Sequence, residues 1–109
     1  MQEDTHYRVL RLVESRPEIS QRELAEELGV SLGKANYCVK ALMDKGWIKV
    51  RNFTNSNNKR AYLYLLTPTG LDQKTRLTAR FLQRKVAEYD ALKEEIQMLR
   101  DELNANSKE

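Results

Sequence analysis

Residues 29–40, GVSLGKANYCVK, carry a polar set at helical spacing. At about 100° per residue, Gly33, Asn36, Tyr37 and Lys40 share one side of a helix, and Ala35, Cys38, Val39 and Leu42 share the other. The polar side offers a glycine, an amide, a phenol and an amine, with no acid before Asp44. Those groups suit the edges of bases and the phosphates of a duplex. An asparagine amide matches the N6 and N7 edge of adenine, and a lysine reaches guanine or phosphate. Tyr37 brings a ring for a thymine methyl and a hydroxyl for phosphate, while Gly33 leaves room for close approach. Ser31 and Lys34, at the start of the helix, suit phosphate contacts that fix register without reading sequence.

The elements that must hold this face are legible on either side. Ser20 and Glu23 have the S-x-x-E spacing of a capping box, with Ile19 and Leu24 placed as a hydrophobic staple. Leu24, Ala25 and Leu28 make the apolar stripe of a short helix that Gly29 ends in the left-handed conformation. Ser31 then caps the next helix, which runs to about Lys45 and stops at Gly46. Two helices joined by a short glycine-containing turn are a helix-turn-helix signature. Before them, residues 4–15 form a helix with a broad apolar side, capped by Asp4 and ended by Pro17. Cys38 faces the apolar side and reads as a small buried residue.

After Gly46, WIKVRNF and AYLYLLT flank the polar, asparagine-rich segment TNSNNKR. Strand, loop, strand is expected, a hairpin whose loop brings Asn57, Asn58, Lys59 and Arg60 forward as wing contacts in or beside a minor groove. Helix, helix-turn-helix and hairpin, in that order, describe a winged helix.

From Thr67, as cap, and Pro68, as first helical residue, the pattern becomes one long helix with no glycine or proline after Gly70. Leu82, Tyr89, Ile96 and Leu103 recur every seven residues, with Leu92 and Leu99 at the alternate seam positions and Lys85 interrupting one. Glu88 and Glu95 flank the seam on one side, Lys93 and Arg100 on the other. That arrangement pairs opposite charges across a parallel two-stranded coiled coil and is less favourable in an antiparallel one. The apolar stripe is expected to dimerise the chain.

Composition bounds the function classes. The 109 residues carry a net charge of +3, distributed unevenly. Residues 31–80 hold ten basic side chains against two acidic ones, and from residue 81 five stand against seven. A basic middle and a mixed-charge tail fit a polyanionic partner, although lysines also serve simply as a solvated surface. No apolar run is long enough for a membrane span, and the N-terminus lacks the regions of a signal peptide. With one cysteine and one histidine, His6, there is no zinc constellation and no internal disulfide. No carboxylate pair or phosphate loop points to catalysis, so no enzyme activity and no cofactor are expected, and a cytoplasmic location is.

SQRELAEELGVSLGKANYCVKALMDKGWIKV and the NKRAYLYLLTPTG segment resemble the MarR-type winged-helix transcriptional regulators. NYC within the helix, the VRNF strand and the LTARFLQRK stretch are similar to a short exopolysaccharide-associated subgroup of that family. The resemblance implies a bacterial homodimer that binds operator DNA near polysaccharide-biosynthesis genes; two-fold symmetry predicts a palindromic site, and a repressor's role and a nucleoid-associated location are expected with it. Two positions depart from the pattern. MarR wings carry an acid before two basic residues, where this chain has Asn58 before Lys59 and Arg60. Members also use further C-terminal helices to dimerise and to shape a small-molecule pocket, where this chain offers one long helix, so an effector is left open.

The fold class read from sequence is thus mainly α with a small β-hairpin: a winged helix-turn-helix over residues 1–70, then a dimerising coiled-coil helix over 71–109. The alternatives are an architectural DNA binder without sequence preference and a winged helix that binds protein.

Overall fold

A computed structural model of the chain describes residues 2–54 and 60–107, with side chains at 2, 53, 54, 60 and 61 left aside. Four helices and one hairpin follow in the order α1 (Gln2–Ser15), α2 (Gln21–Leu28), α3 (Leu32–Asp44), β1 (Ile48–Thr54), β2 (Arg60–Leu66) and α4 (Pro68–Ser107). The mainly helical class with a small hairpin and a long final helix is the one expected. Contacts divide the chain into two units, Met1–Thr78 and Ala79–Glu109.

In the first unit, α1 begins two residues earlier than its sequence suggests. Asp4 lies inside its first turn with Glu3 rather than capping it. Both acids there meet the positive end of the helix dipole, so the helix starts favourably without a cap at that residue. The α2 start is the expected one. Glu23 N–H donates to Ser20 Oγ at 3.0 Å, and Ser20 N–H donates to Glu23 Oε1 at 3.3 Å. Hydrogen bonds from Ser20, side chain and then backbone, hold the Glu23 carboxyl below its ordinary range. At the other end Gly29 adopts φ 69°, letting Val30 N–H reach Ala25 O and Gly29 N–H reach Glu26 O. This is a Schellman closure, and it turns the chain directly into the Ser31 cap of α3.

The core is assembled from one face of each element. Val9, Leu10 and Val13 of α1, Leu24 and Leu28 of α2, and Cys38, Val39 and Leu42 of α3 close over Ile48 and Tyr64 of the hairpin. Ile19, the staple residue, is buried with Leu24. Cys38 is buried as expected of a small apolar residue. His6 of α1 is buried as well, its ring in a T-shaped contact with Trp47.

β1 and β2 pair antiparallel with Ile48 opposite Leu66, Val50 opposite Tyr64 and Asn52 opposite Tyr62. Alternation therefore sends these pairs to one face and Lys49/Leu65 and Arg51/Leu63 to the other. Ile48 and Tyr64 are buried, so the first face is the one turned to the helices. Tyr64 N–H also donates to Pro17 O at 2.9 Å, tying the α1–α2 connection to the free edge of β2. Gln21 Nε2 donates to the Tyr64 hydroxyl at 3.2 Å, a second tie to the first residue of α2.

The first turns of α4 belong to this unit. Thr67 caps them: Gly70 N–H donates to Thr67 Oγ1 at 3.0 Å, and the same hydroxyl donates to Gly46 O. Thr67 N–H donates to Trp47 O at 3.0 Å. Gly70 is required here, because a Cβ at that position would collide with the Trp47 carbonyl. Leu77 completes the core, and Lys74 pairs with Glu14 of α1.

The second unit, Ala79–Glu109, is the remainder of α4. Leu82, Tyr89, Leu92, Ile96, Leu99 and Leu103 are between 39% and 70% exposed in the single chain, and Val86 and Met98 are exposed as well. The Lys85 ammonium is paired within its own helix to Glu88 at 3.2 Å, and Lys93 lies over the Tyr89 ring.

Candidate nucleic-acid interface

α3 turns its inner side to the core through Ala35, Cys38, Val39 and Leu42, which leaves the outer side open by geometry alone. Ser31, Gly33, Lys34, Asn36, Tyr37 and Lys40 are all exposed. The Ser31 hydroxyl accepts the Lys34 N–H at 3.1 Å, so it caps the helix while its proton stays available to a partner. Beyond Gly33 the space is open, with nothing within 4 Å of a Cβ placed there. Tyr37 is 68% exposed, an unusual state for a residue that would bury well, and Leu32 beside the cap is exposed as well. No acid stands on α3 until Asp44 at its end.

The polar side of α3 is not a uniform strip. An open cleft of about 400 Å³ runs along one flank, where Asn36, Val39, Lys40 and Met43 face Val50, Tyr62 and Tyr64 of the hairpin and Gln21 of α2. Tyr37, about 100° round the helix from Asn36, lies on the opposite flank with Gly33 between them. A second hollow of about 430 Å³ adjoins the cleft, sharing Gln21, Tyr62 and Tyr64 with it and adding Glu18, Ile19 and Ser20. Tyr62 is 62% exposed.

The expected wing residues divide. Asn57, Asn58 and Lys59 lie outside the described residues. Arg60 opens β2, and its backbone pairs with Thr54, but its side chain is not among those described. Gln21, Met43 and Tyr62 were not expected. Tyr62 was signalled by the AYLYLL alternation, which puts it on the same face as Tyr64. What sequence could not supply was the register that sets it opposite Asn52 and beside α3. Lys49 and Arg51, both exposed, stand on the other face of β1.

Among the described residues there is no cluster of histidine, cysteine, aspartate and glutamate that could hold a metal ion. Among the described residues no helix is long and apolar enough to cross a membrane.

Residues 2–49 match the family described as winged helix-turn-helix DNA-binding. The fold is a winged helix-turn-helix. The winged helix is similar to that of a MarR/EmrR family transcriptional regulator from Acinetobacter sp. ADP1, at 24% identity and a TM-score of 0.61, covering 92% of this chain and 75% of that one. It is similar also to the PcaV transcriptional regulator from Streptomyces coelicolor in complex with its natural ligand, at 25% identity and a TM-score of 0.58, covering 88% and 72%. A third similar structure is the S. aureus MepR–DNA complex, at 17% identity and a TM-score of 0.60, covering 77% of this chain and 57% of that one. No curated protein sequence matches the chain.

Proposed function

We propose that this winged helix is a DNA-binding transcriptional regulator of the MarR type. The observation that carries the reading is the outer side of α3, exposed, free of acids until its last residue and flanked by the hairpin of the same unit. A recognition helix must approach base edges and phosphates together, and this side supplies an amide, an ammonium, a phenol and a glycine for that purpose. The regulators among its structural neighbours, one of them a DNA complex, support the same reading.

The regulator acts as a homodimer in this proposal. The exposed heptad residues Leu82, Tyr89, Leu92, Ile96, Leu99 and Leu103 leave an apolar seam uncovered in one chain, and Glu88, Glu95, Lys93 and Arg100 favour a parallel partner. Two-fold symmetry then calls for a palindromic operator. Repression, a nucleoid location and control of exopolysaccharide genes rest on the NYC, VRNF and LTARFLQRK resemblance alone.

Selection of bound fragments from random duplex DNA is the deciding experiment. Recovery of a palindrome, bound about a thousandfold or more tighter than random duplex at the same salt, is expected. Equal affinity for both would favour an architectural binder, and no binding at low salt would favour a protein-interaction module.

A further inference from the structure

The flank of α3 that faces the hairpin has a chemistry of its own. Its apolar lining comes from Val39, Met43 and Val50, and its polar lining includes the Lys40 ammonium, the Asn36 amide and the Tyr62 phenol. Among the described residues no carboxylate lines it. Tyr64, two residues along the same face, has its hydroxyl taken by Gln21, whereas Tyr62 stays 62% exposed. An apolar lining with one cation and hydrogen-bond donors is the complement of a sugar with a phosphate attached.

We infer that this cleft seats one deoxyribose-phosphate unit of a DNA strand, the sugar against Val39, Met43 and Val50 and the phosphate between Lys40 Nζ and Tyr62 Oη. The inference rests on the DNA-binding reading above and adds the strand backbone as the occupant. Size argues for backbone rather than base. An α-helix with its side chains is about 10–12 Å across and the major groove about 12 Å wide. A helix lying in the groove therefore presents its central ridge to the bases and its flanks to the two backbones. The cleft lies on a flank, bounded by the hairpin, so a strand held there passes between recognition helix and wing. The basic balance of residues 31–80 supplies the matching charge. Tyr62 thereby becomes a positioning contact: it fixes where the helix sits and reads no base.

The test uses the full chain, Tyr62→Phe, and duplexes carrying a single uncharged methylphosphonate linkage moved stepwise through the site. Tyr62→Phe is expected to weaken binding about fivefold to tenfold on matched and random duplex alike, since a phosphate contact is blind to sequence. One linkage per half-site is expected to weaken wild-type binding when neutralised, with a distinctly smaller effect on Tyr62→Phe. The unfolding midpoint of Tyr62→Phe, a change at an exposed hydroxyl, serves as the folding control. Tight binding that Tyr62→Phe leaves unaltered overturns the inference, as does a loss confined to one base-pair identity, which would mark a base contact. Equal methylphosphonate losses in both proteins at every linkage also overturn it. All three leave DNA binding standing, whereas failure of the wild type to bind any duplex at low salt overturns both.

Discussion

The His6 imidazole meets Trp47 edge to face, with ring centroids 6.1 Å apart and planes at 83°. Burial, then the nearby Lys45 ammonium, lowers the His6 pKa below its ordinary 6.5, with Glu3 opposing. A histidine that is harder to protonate when folded adds stability in its neutral form. That stability is fully present above pH 6.5 and is lost as the pH falls through the lowered folded value, because the unfolded chain then binds the extra proton. Denaturant unfolding between pH 7.5 and 5 should show this decline, and His6→Phe should flatten it. An unchanged slope in His6→Phe would place the titration elsewhere.

Gly70→Ala tests the join between α4 and the α3–β1 turn. The added methyl meets the Trp47 backbone, which is held by Thr67 and cannot swing aside like a flexible side chain. A destabilisation of about 1–3 kcal/mol is expected, as for overpacking in a tight core. Thermal unfolding of the substituted chain measures it.

Gly33→Ala should act in the opposite sense on two readouts. Its methyl enters open space, and alanine favours a helix over glycine by up to about 1 kcal/mol. Stability should hold or rise, while duplex affinity falls because the backbone can no longer come close. Paired unfolding and fluorescence-anisotropy titrations would separate the two effects, and unaltered affinity would remove Gly33 from the contact surface.

Asn36→Ala and Lys40→Ala should differ in kind. Loss of an amide that reads a base narrows the gap between matched and mismatched sites by about 1–3 kcal/mol at one base pair. Loss of a lysine on phosphate lowers affinity on every sequence and reduces the salt slope by about 1. Titrations over a salt series on both duplexes distinguish them.

Leu92→Glu combined with Leu99→Glu addresses the dimer. Both residues are more than half exposed in the single chain, so the fold of the first unit should be untouched. Sedimentation should give a monomer where the unaltered chain gives a dimer. A dimer that persists would move the contact away from the heptad seam.

Much of this architecture was written in local signals. The Ser20–Glu23 box, the Gly29 turn, the Ser31 cap and Thr67–Pro68 each fix a helix end through hydrogen bonds within five residues, and each is found where the spacing puts it. The outer side of α3 was equally legible, because its periodicity alone decides which residues the core takes. Long-range relationships were not. His6 and Trp47 are 41 positions apart in the chain, and nothing local marks a lone histidine as buried beneath a tryptophan. Tyr62 is of the same kind, since only strand register and packing bring β2 alongside α3. At the start of α1 composition is ambiguous, because an aspartate can stand at a cap or, as Asp4 does, in the first turn.

Pro17 and Gln21 both grip Tyr64, one through the main chain and one through the side chain. The hairpin base, the α1–α2 connection and the head of α2 are thus riveted at one residue. Tyr62, two residues along the same face of β2, is therefore carried on a strand anchored to the helices at Tyr64. On the DNA-binding proposal, a duplex settling against α3 would meet a hairpin base already fastened to the helix-turn-helix.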